Sequence, residues 1–535
     1  MSYQDVLRGL GNQVEQVELA YQQAVKAGHG DEFAAAIESR YADDTGNLLY
    51  AAWHYRLIHA AATVKRRAIA WGWALPLALL NGLILWLLSD DERFTLKLTN
   101  PFTGVTTNSL PLVGLLAAPI SAALIVLFLT GASRRRWARA AAVILGLAAA
   151  STYVLLLYPQ IWPRVFAEQY LSMMALHLAL LAWAAVGVVA LFGGFDAENR
   201  FAFLVKSLEA FVVAGLFVMA GSIFTAITFG LFAALGIEPP EEIVRLFVAG
   251  GAGLIIVLAV ALVYDPTVEP VQQSFDEGLS RLVALLMRLL LPLAALVLLI
   301  YLGFIPFNFR EPFENRDVLI SFVAMLFAVL ALLVGAAPVT GAELGAKTQT
   351  WLRRGVMALA ALALLVGLYA LAAFLYRTNL DRLTPNRLAF IGWTVINIGV
   401  LAGLLFRQWR AGRSSWLPAL HKSLADGAYP YVIWALFVLI ALPWLFRGDA
   451  REVAGLPPRI QMLAYNEPVP ILLKCNDSPH IYLLEDGQKR WIKDIPTFEA
   501  RGYQWSDVHF TGCDDLRAVP AGPPIPPDAG PPPEP

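Results

Sequence analysis

The sequence predicts an all-α polytopic membrane protein with about eleven transmembrane helices, a short cytoplasmic helical region before them and a small external α+β module behind them. Of the 535 residues, 58% are hydrophobic and only 15% are charged, which is far from the composition of a soluble enzyme. The apolar residues occur in runs long enough to cross ~30 Å of hydrocarbon, for which a helix needs about 20 residues. Residues 1–67 and 447–535 lack such runs. The pattern therefore predicts a membrane domain over residues 68–446 between two soluble regions.

Eleven runs meet this length, and each predicts one spanning helix. They are Ala68–Leu88, Leu110–Thr130, Ala140–Tyr158, Leu171–Phe192, Leu204–Leu231, Ile243–Tyr264, Leu282–Phe304, Val318–Ala337, Gly355–Tyr376, Leu388–Phe406 and Gly427–Phe446. The third, tenth and eleventh runs are short, and the eleventh contains Pro430 and Pro443. Counts from ten to twelve therefore stay open.

Basic residues are unequally distributed between alternate loops, which predicts the orientation because Lys and Arg near helix ends resist translocation. The richer set comprises Arg56, Lys65, Arg66, Arg67, Arg134, Arg135, Arg136, Arg139, Lys347, Arg353, Arg354, Arg407, Arg410, Arg413 and Lys422. All of these fall on one side if the eleven helices alternate in direction. We therefore expect a multi-pass protein of the cell membrane with a cytoplasmic N-terminus and an extracytoplasmic C-terminus.

The N-terminal region, residues 1–67, has an apolar stripe at helical spacing that runs from Tyr3 to Tyr21. Two further helices are predicted, one through "DEFAAAIESRYA" and one through "NLLYAAWHYRLIHAA". The stripe fits a small helical bundle that packs on itself. It also fits a docking site for a cytoplasmic protein partner, and the sequence leaves both interpretations open.

A segment late in the membrane domain, "LYALAAFLYRTNLDRLTPNRLAFIGWTVINIGVLAGLLF" from Leu368, carries a family resemblance. It resembles the DUF4153 family of multi-spanning bacterial proteins and the related DUF4173 group, whose members have a short loop with a Tyr-Gly-Leu-Thr-x-x-Arg pattern between two helices. Leu383, Thr384, Pro385 and Arg387 are the matching loop residues, and Arg382 stands where the family has Gly. The resemblance implies a helical membrane architecture and implies no activity.

The same loop contains three arginines, Arg377, Arg382 and Arg387. In one interpretation the loop is a hinge, with Thr384 capping the next helix and Pro385 in its first turn. In the other, the three guanidinium groups bind a phosphate, such as a lipid headgroup or a polyprenyl-phosphate substrate. The cluster lies on the predicted outer side, against the positive-inside tendency, and this favours a functional role.

Other ionisable residues within the predicted spans are few. Lys206 and Glu209 lie three residues apart on one helix, where they are expected to pair. Arg288 is expected to reach back to the membrane interface, and His177 lies inside the fourth span. No resident metal and no cofactor are predicted, because no metal-binding or cofactor motif occurs.

Asp90 and Asp91 follow the first span in "SDDERF" and are the candidates for catalysis. Membrane glycosyltransferases that use polyprenyl-linked sugars are similar in three respects: about a dozen helices, acidic residues in the first external loop and an external C-terminal domain. That resemblance implies a metal-binding or general-base role for the two carboxylates. A solvated helix boundary explains them equally simply.

The C-terminal region is divided into a linker (447–474), a module (475–520) and a Pro-rich disordered tail (521–535). In the module, "IYLLE" and "QKRWI" are two strands around an Asp486-Gly487 hairpin turn, and "DIPTFEARGY" is a short helix that begins after Asp494 and ends at Gly502. Cys475 and Cys513, the only cysteines, are expected to form a disulfide in an oxidising compartment.

The module resembles small repeated units of bacterial surface and secreted proteins over about 45 residues. The matching residues are Tyr482, Leu483, Gly487, Arg490, Trp491, Pro496, Phe498, Gly502, Tyr503, Trp505, Val508, Leu516 and Pro520. Trp491, Phe498, Tyr503 and Trp505 fit a compact aromatic core. Alternatively, Arg490, Trp491, Tyr503 and Trp505 form an exposed surface that stacks on a cell-wall polymer or glycan.

Together these features predict a non-enzymatic membrane protein of the bacterial cell envelope, a scaffold or sensor whose external module binds an envelope component. The lipid bilayer is the predicted surrounding of the helices, and a net charge of -1 argues against nucleic acid as a partner. A transferase or flippase acting on polyprenyl-phosphate-linked substrates is the first alternative. A solute transporter is the second, and it is weakened by the scarcity of charges inside the spans.

Overall fold

The structure is a computed structural model that describes residues 3–26, 29–66, 69–275, 278–314, 316–340, 344–380, 383–413, 415–447, 453–467 and 470–535. The chain forms two compact units, Met1–Ala70 and Trp71–Pro535. The second unit contains both the membrane domain and the C-terminal module. Each unit is described by itself.

The first unit consists of four helices, α1 (Tyr3–Leu10), α2 (Val14–Lys26), α3 (Gly30–Asp43) and α4 (Leu48–Arg66). The apolar stripe predicted as one segment is divided between α1 and α2, because Gly11 adopts a positive φ of 55° that ends α1. Leu7 and Phe33 are fully buried in the core of this unit. The Tyr50 hydroxyl shares its one proton between the carbonyl oxygens of Gly11 (2.7 Å) and Leu7 (3.1 Å). This region packs on a core of its own.

The second unit contains eleven helices, within its described residues, that are long and apolar enough to span a membrane. They are α5 (Trp71–Leu88), α6 (Leu112–Ser133), α7 (Trp137–Leu157), α8 (Arg164–Ala190), α9 (Ala197–Ala234), α10 (Glu241–Val263), α11 (Gly278–Phe304), α12 (Arg316–Ala336), α13 (Ala346–Leu380), α14 (Pro385–Ala411) and α15 (Trp416–Leu445). Each coincides with one predicted run, so the predicted fold class is confirmed. Several helices extend beyond the apolar run, because polar turns continue the helix outside the hydrocarbon layer.

Close approaches between helices occur at small residues near the middle of α5. The Asn81 side chain donates to Ser121 Oγ on α6 (2.9 Å) and to the Gly253 carbonyl on α10 (2.7 Å). A Cβ atom on Gly82 would lie only 2.7 Å from the Gly250 carbonyl oxygen. Small residues permit this backbone proximity, as is usual for membrane helices.

Alternate loops share one end of the bundle, because consecutive spanning helices run in opposite directions. The Tyr158 hydroxyl donates to the Lys97 carbonyl (3.1 Å), and the Trp162 amide donates to the Phe446 carbonyl (3.0 Å). We call this end, with residues 89–111 and 158–163, the module face. The other end is the opposite face, where Arg136 donates to the Pro266 carbonyl (3.1 Å).

A two-stranded antiparallel hairpin, β1 (Thr95–Thr99) and β2 (Thr106–Pro111), occupies the first loop of the module face. This hairpin is not predicted from the sequence. Phe102 at its tip packs into the core of the C-terminal module beside Trp162, whose ring centroid lies 5.3 Å from that of Tyr465. The module is thus attached to the membrane domain through apolar contacts.

The module contains a four-stranded sheet in the order β5-β4-β3-β6. Its elements are α16 (Pro458–Asn466), β3 (Ile471–Cys475), β4 (Ile481–Glu485), β5 (Gln488–Ile492), α17 (Ile495–Ala500), β6 (Val508–Thr511) and α18 (Cys513–Ala518). Asp486 and Gly487 take the positive φ values, 51° and 70°, that a tight hairpin turn needs. Asp494 caps α17 by accepting from the Thr497 amide (2.9 Å), as predicted.

Two boundaries of the module differ from the sequence prediction. The predicted linker, 447–474, contains α16 and the central strand β3, which pairs with β6 in parallel. The tail, predicted to be disordered, runs along the outer edge of β5. There the Lys489 amide donates to the Pro520 carbonyl (2.8 Å) and the Ile525 amide to the Trp491 carbonyl (2.7 Å). An edge position suits prolines because they lack an N–H group to donate to a neighbouring strand.

Cys475 and Cys513 are joined by a disulfide, as predicted. It connects the end of β3 to the start of α18 across a sequence separation of 38 residues. By the chain-entropy relation, a disulfide that closes a loop of that length stabilises the folded module by about 4 kcal/mol. This is a large contribution for a module of this size.

Candidate anion site on the module face

Two of the three arginines predicted to bind phosphate line a single cavity of about 130 Å³. Arg377 lies in the last turn of α13, and Arg387 lies in the first turn of α14. Gln169, near the start of α8, also lines the cavity. Because α8 begins at the module face, the cavity lies at that face. Arg382 lies outside the described residues, so its predicted role is untested.

The link between α13 and α14 brings the two arginines together. Thr384 caps α14 by accepting a hydrogen bond from the Arg387 amide at 3.3 Å, and Pro385 follows at the first helical position. A Thr cap and a following Pro both favour a helix start at this point. The hinge interpretation of "RLTPNR" and the arginine-site interpretation are therefore compatible, because the hinge positions the arginines.

The cavity lining is polar at one side and apolar at the other. Besides the two arginines, its polar residues are Gln169, Thr384 and Asn386, and its apolar residues are Leu319, Ile320, Phe374 and Phe390. Oε1 of Gln169 is buried and has no hydrogen-bond partner among the described residues. A buried amide oxygen of this kind is usually satisfied by a water molecule or a ligand.

A neighbouring carbonyl group orients Arg377. Its Nη1 atom donates to the Glu314 carbonyl oxygen at 2.7 Å, which joins the end of α13 to the loop that precedes α12. The second arginine stands at the N-terminus of α14, where the helix dipole adds a partial positive charge. The positive charge of the guanidinium groups and the helix dipole favour a negatively charged ligand.

This arrangement can hold a compact oxyanion attached to an apolar molecule. Guanidinium groups form strong, directional hydrogen bonds with phosphate or carboxylate oxygens, and a helix N-terminus supports such binding. The volume accommodates several water molecules, since one needs only ~10–15 Å³. The apolar side of the lining fits the part of an amphiphile next to its headgroup.

The candidate catalytic residues, Asp90 and Asp91, lie elsewhere on the module face. Oδ2 of Asp90 is 3.6 Å from Arg93 Nε and 3.6 Å from Arg245 Nη2. Asp91 is exposed, and its backbone carbonyl accepts a hydrogen bond from the Thr95 hydroxyl. Within the described residues, no group of three or more His, Cys, Asp or Glu side chains is placed to hold a metal ion.

The predicted aromatic and Arg surface of the module is mostly covered. Arg490 Nε donates to the Pro523 carbonyl of the tail at 3.0 Å, and its Nη1 pairs with Glu485. Trp491 packs in the core beside α16, and Tyr503 is half-buried. Trp505 is 57% exposed, with its ring centroid 4.9 Å from that of Phe498. Of the four residues proposed for glycan stacking, only Trp505 presents most of its side chain to solvent.

Two charged groups at the opposite face are paired. Lys206 Nζ lies 2.8 Å from Glu209 Oε2 and also donates to the Ser274 carbonyl at 2.6 Å, so the predicted pairing is present. In the second group, which is not predicted from the sequence, Asp426 binds both Arg200 and Arg407 at 2.9 Å. Asp426 is a lone carboxylate at the edge of the eleventh predicted run, and that position is the only sequence signal for it.

Compared with models of known protein families, with curated proteins and with solved structures, the chain shows no match.

Proposed function

We propose that the protein is a non-enzymatic membrane protein of the bacterial cell envelope that binds the phosphate of an anionic amphiphile at the arginine cavity. The single observation that carries this proposal is that Arg377 and Arg387 line the same cavity. Two guanidinium groups beside a helix N-terminus match the charge and geometry of a phosphate group.

The proposal includes the orientation expected from the basic residues. The module face is extracytoplasmic, and the ligand is taken from the outer leaflet. The C-terminal module acts as the scaffold or sensor element, and its apolar contacts with the first loop and with Trp162 support a mechanical connection to the membrane domain. Among the candidates in the sequence, this site has stronger geometric support than the glycan surface or the Asp90-Asp91 pair.

The test uses the full-length protein in nanodiscs, with three variants, Arg377→Gln, Arg387→Gln and Arg310→Gln. Arg310 is exposed in the loop before α12 and provides a control that removes the same charge outside the cavity. Bound phospholipid is counted by native mass spectrometry after exposure to vesicles that contain phosphatidic acid. A charge-assisted hydrogen bond is worth ~1.5–3 kcal/mol, so each cavity variant should weaken retention about tenfold or more.

Inorganic phosphate provides the second arm of the test. If it competes with the lipid at equal concentration, the site recognises the phosphate group alone, and if only the lipid binds, the apolar side of the lining contributes. Retention that is unchanged in both cavity variants, or reduced equally by Arg310→Gln, would contradict the proposal.

A further inference from the structure

Three buried polar atoms on α8 and α14, two helices that contribute residues to the arginine cavity, lack a hydrogen-bond partner among the described residues. They are Gln169 Oε1, His177 Nε2 and Asn397 Nδ2. His177 is 1% exposed, and Asn397 is fully buried. Each of these two has one satisfied end: His177 Nδ1 lies 2.8 Å from the Met173 carbonyl oxygen, and Asn397 Oδ1 accepts from the Tyr431 hydroxyl at 2.5 Å. Whichever way the Asn397 amide is oriented, one of its ends has no partner among the described residues.

His177 and Asn397 lie deeper in the membrane domain than the cavity, because they follow the lining residues Gln169 and Phe390 by about 12 and 10.5 Å along the helix axes. Phe390 lines the cavity, and Trp393 is three residues farther along α14, ~4.5 Å deeper along the helix axis. The Trp393 ring centroid lies 5.1 Å from that of His177 and 5.6 Å from that of Tyr431. Asn397 follows one helical turn later. The side chains of α8, α14 and α15 therefore meet around an aromatic centre that has polar groups on two sides.

A dry interior does not explain this arrangement. More than 90% of buried polar groups in proteins have a hydrogen-bond partner, and buried water supplies it where the protein does not. In the hydrocarbon region, an unsatisfied polar group is especially unfavourable because no bulk water is near. Three such atoms, one in the cavity wall and two deeper in the membrane domain, point to a common cause.

We propose that the arginine cavity continues inward as a hydrated path between α8, α14 and α15, in which bound water molecules satisfy Gln169, His177 and Asn397. The anion site then lies at the mouth of a polar interior that reaches toward the middle of the membrane. The ligand class of this inner site is water. The inference uses the position of the cavity and is independent of whether an anion binds there.

The protein is well suited to a cysteine-accessibility test, because its only two cysteines form the disulfide. His177→Cys and Asn397→Cys are compared with Leu178→Cys and Leu401→Cys. The control leucines are fully buried on the same helices. A small, permanently charged methanethiosulfonate reagent reaches a thiol only through water and reacts with the thiolate. Modification is followed by mass spectrometry of the full-length protein in nanodiscs.

We expect the thiols of the His177→Cys and Asn397→Cys variants to react about tenfold or more faster than the two control thiols. Asn386→Trp, added at the cavity mouth, should slow both reactions. Equal reactivity at test and control positions would overturn the inference, and so would reactivity that is insensitive to Asn386→Trp. If phospholipid retention still depends on Arg387 in that case, the proposed function stands and only the hydrated path falls.

A second measurement needs no substitution. Hydroxyl-radical footprinting of the unmodified protein oxidises side chains that adjoin bound water. After correction for the higher intrinsic reactivity of Trp and Tyr, the rings of Trp393 and Tyr431 should be less protected than those of Phe128 and Phe201, which are fully buried in other parts of the membrane domain. Equal protection of all four rings would contradict a hydrated path.

Discussion

The two faces of the membrane domain hold their charged side chains in different ways. At the opposite face, Lys206 and Glu209 are almost completely buried, with 4% and 6% of their side chains exposed, and they lie 2.8 Å apart. At the module face, Arg377 and Arg387 line a cavity together with neutral polar residues such as Gln169 and Asn386. The first arrangement is a closed ion pair inside the protein, and the second places two guanidinium groups at the wall of a space that a ligand can enter.

The difference suggests how to separate structural from functional charges in a membrane protein. A charge moved out of water is unfavourable unless a partner compensates it. Where that partner is another side chain, as for Lys206 or for Arg200 with Asp426, stability is the expected role. Where the guanidinium group lines a cavity, binding is the expected role. Substitutions at the two faces should therefore have different phenotypes.

The largest effect is expected at the opposite face. Glu209→Gln leaves the Lys206 ammonium group buried without its carboxylate and also weakens the 2.6 Å hydrogen bond from Ser280. Removing one partner of a buried ion pair costs ~3–5 kcal/mol. The apparent free energy of unfolding in mixed micelles, titrated with SDS and followed by tryptophan fluorescence, should fall by that amount, while phospholipid retention by the folded fraction stays unchanged.

A double variant provides the control for this prediction. Lys206→Met with Glu209→Leu removes both charges, and replacement of a buried pair by apolar side chains is often neutral within ~1 kcal/mol or stabilising. If the double variant is as unstable as Glu209→Gln, the loss comes from packing, and the charge-pair explanation fails.

A smaller effect on a different property is expected at the module face. Asn386→Asp places a carboxylate among the residues that line the arginine cavity, where it competes with a bound anion for the guanidinium groups. Lipid phosphate should then bind about tenfold more weakly, corresponding to ~1.4 kcal/mol, without loss of stability. Asn308→Asp, an exposed change of the same charge in the loop before α12, should have little effect on phosphate binding. If both variants lose the same affinity for lipid phosphate, the binding depends on the overall charge of this face and not on the arginine cavity.

The sequence predicts features that depend on neighbouring residues. Run length identifies all eleven spanning helices of the described chain, and Thr384 and Asp494 identify two helix starts because a cap acts on the next three residues. The same local reasoning predicts the Asp486-Gly487 turn. One cavity wall is also predictable, since Arg377 and Arg387 flank one short loop.

Features that join distant parts of the chain are not predictable in this way. Gln169 reaches the arginine cavity from a helix more than 200 residues earlier, and Arg200 meets Asp426 across 226 positions. All of the strand Ile471–Cys475 except Cys475 falls within the predicted linker, since only its pairing with β4 and the later β6 makes it central. The Pro-rich tail lacks the composition of a folding segment, and its order depends on the exposed edge of β5.

The smallest effect tests the neutral contacts that hold the tail on the module. The Tyr482 hydroxyl is buried and donates to the Pro533 carbonyl at 2.8 Å, and burial raises the pKa of Tyr482 from 10.0 to about 12. Because the folded pKa is the higher one, the stability linked to Tyr482 is complete below pH 10 and decreases as the pH rises toward 12. Tyr482→Phe removes one neutral hydrogen bond, worth ~1 kcal/mol.

The Ile525 amide reports this contact, because it donates to Trp491 within the paired tail. At neutral pH its hydrogen-exchange protection should fall about fivefold in Tyr482→Phe, which is the rate equivalent of ~1 kcal/mol. In the unmodified protein, protection corrected for intrinsic exchange should decline between pH 10 and 12, and the Phe variant should lack that decline. The contributions of charged and neutral contacts to the free energy of unfolding could then be compared within one protein. We expect the larger contribution from ion pairs inside the membrane domain and the smaller one from neutral hydrogen bonds in the module. An Ile525 protection that is identical in both proteins would show instead that the backbone pairing with β5 holds the tail without help from Tyr482.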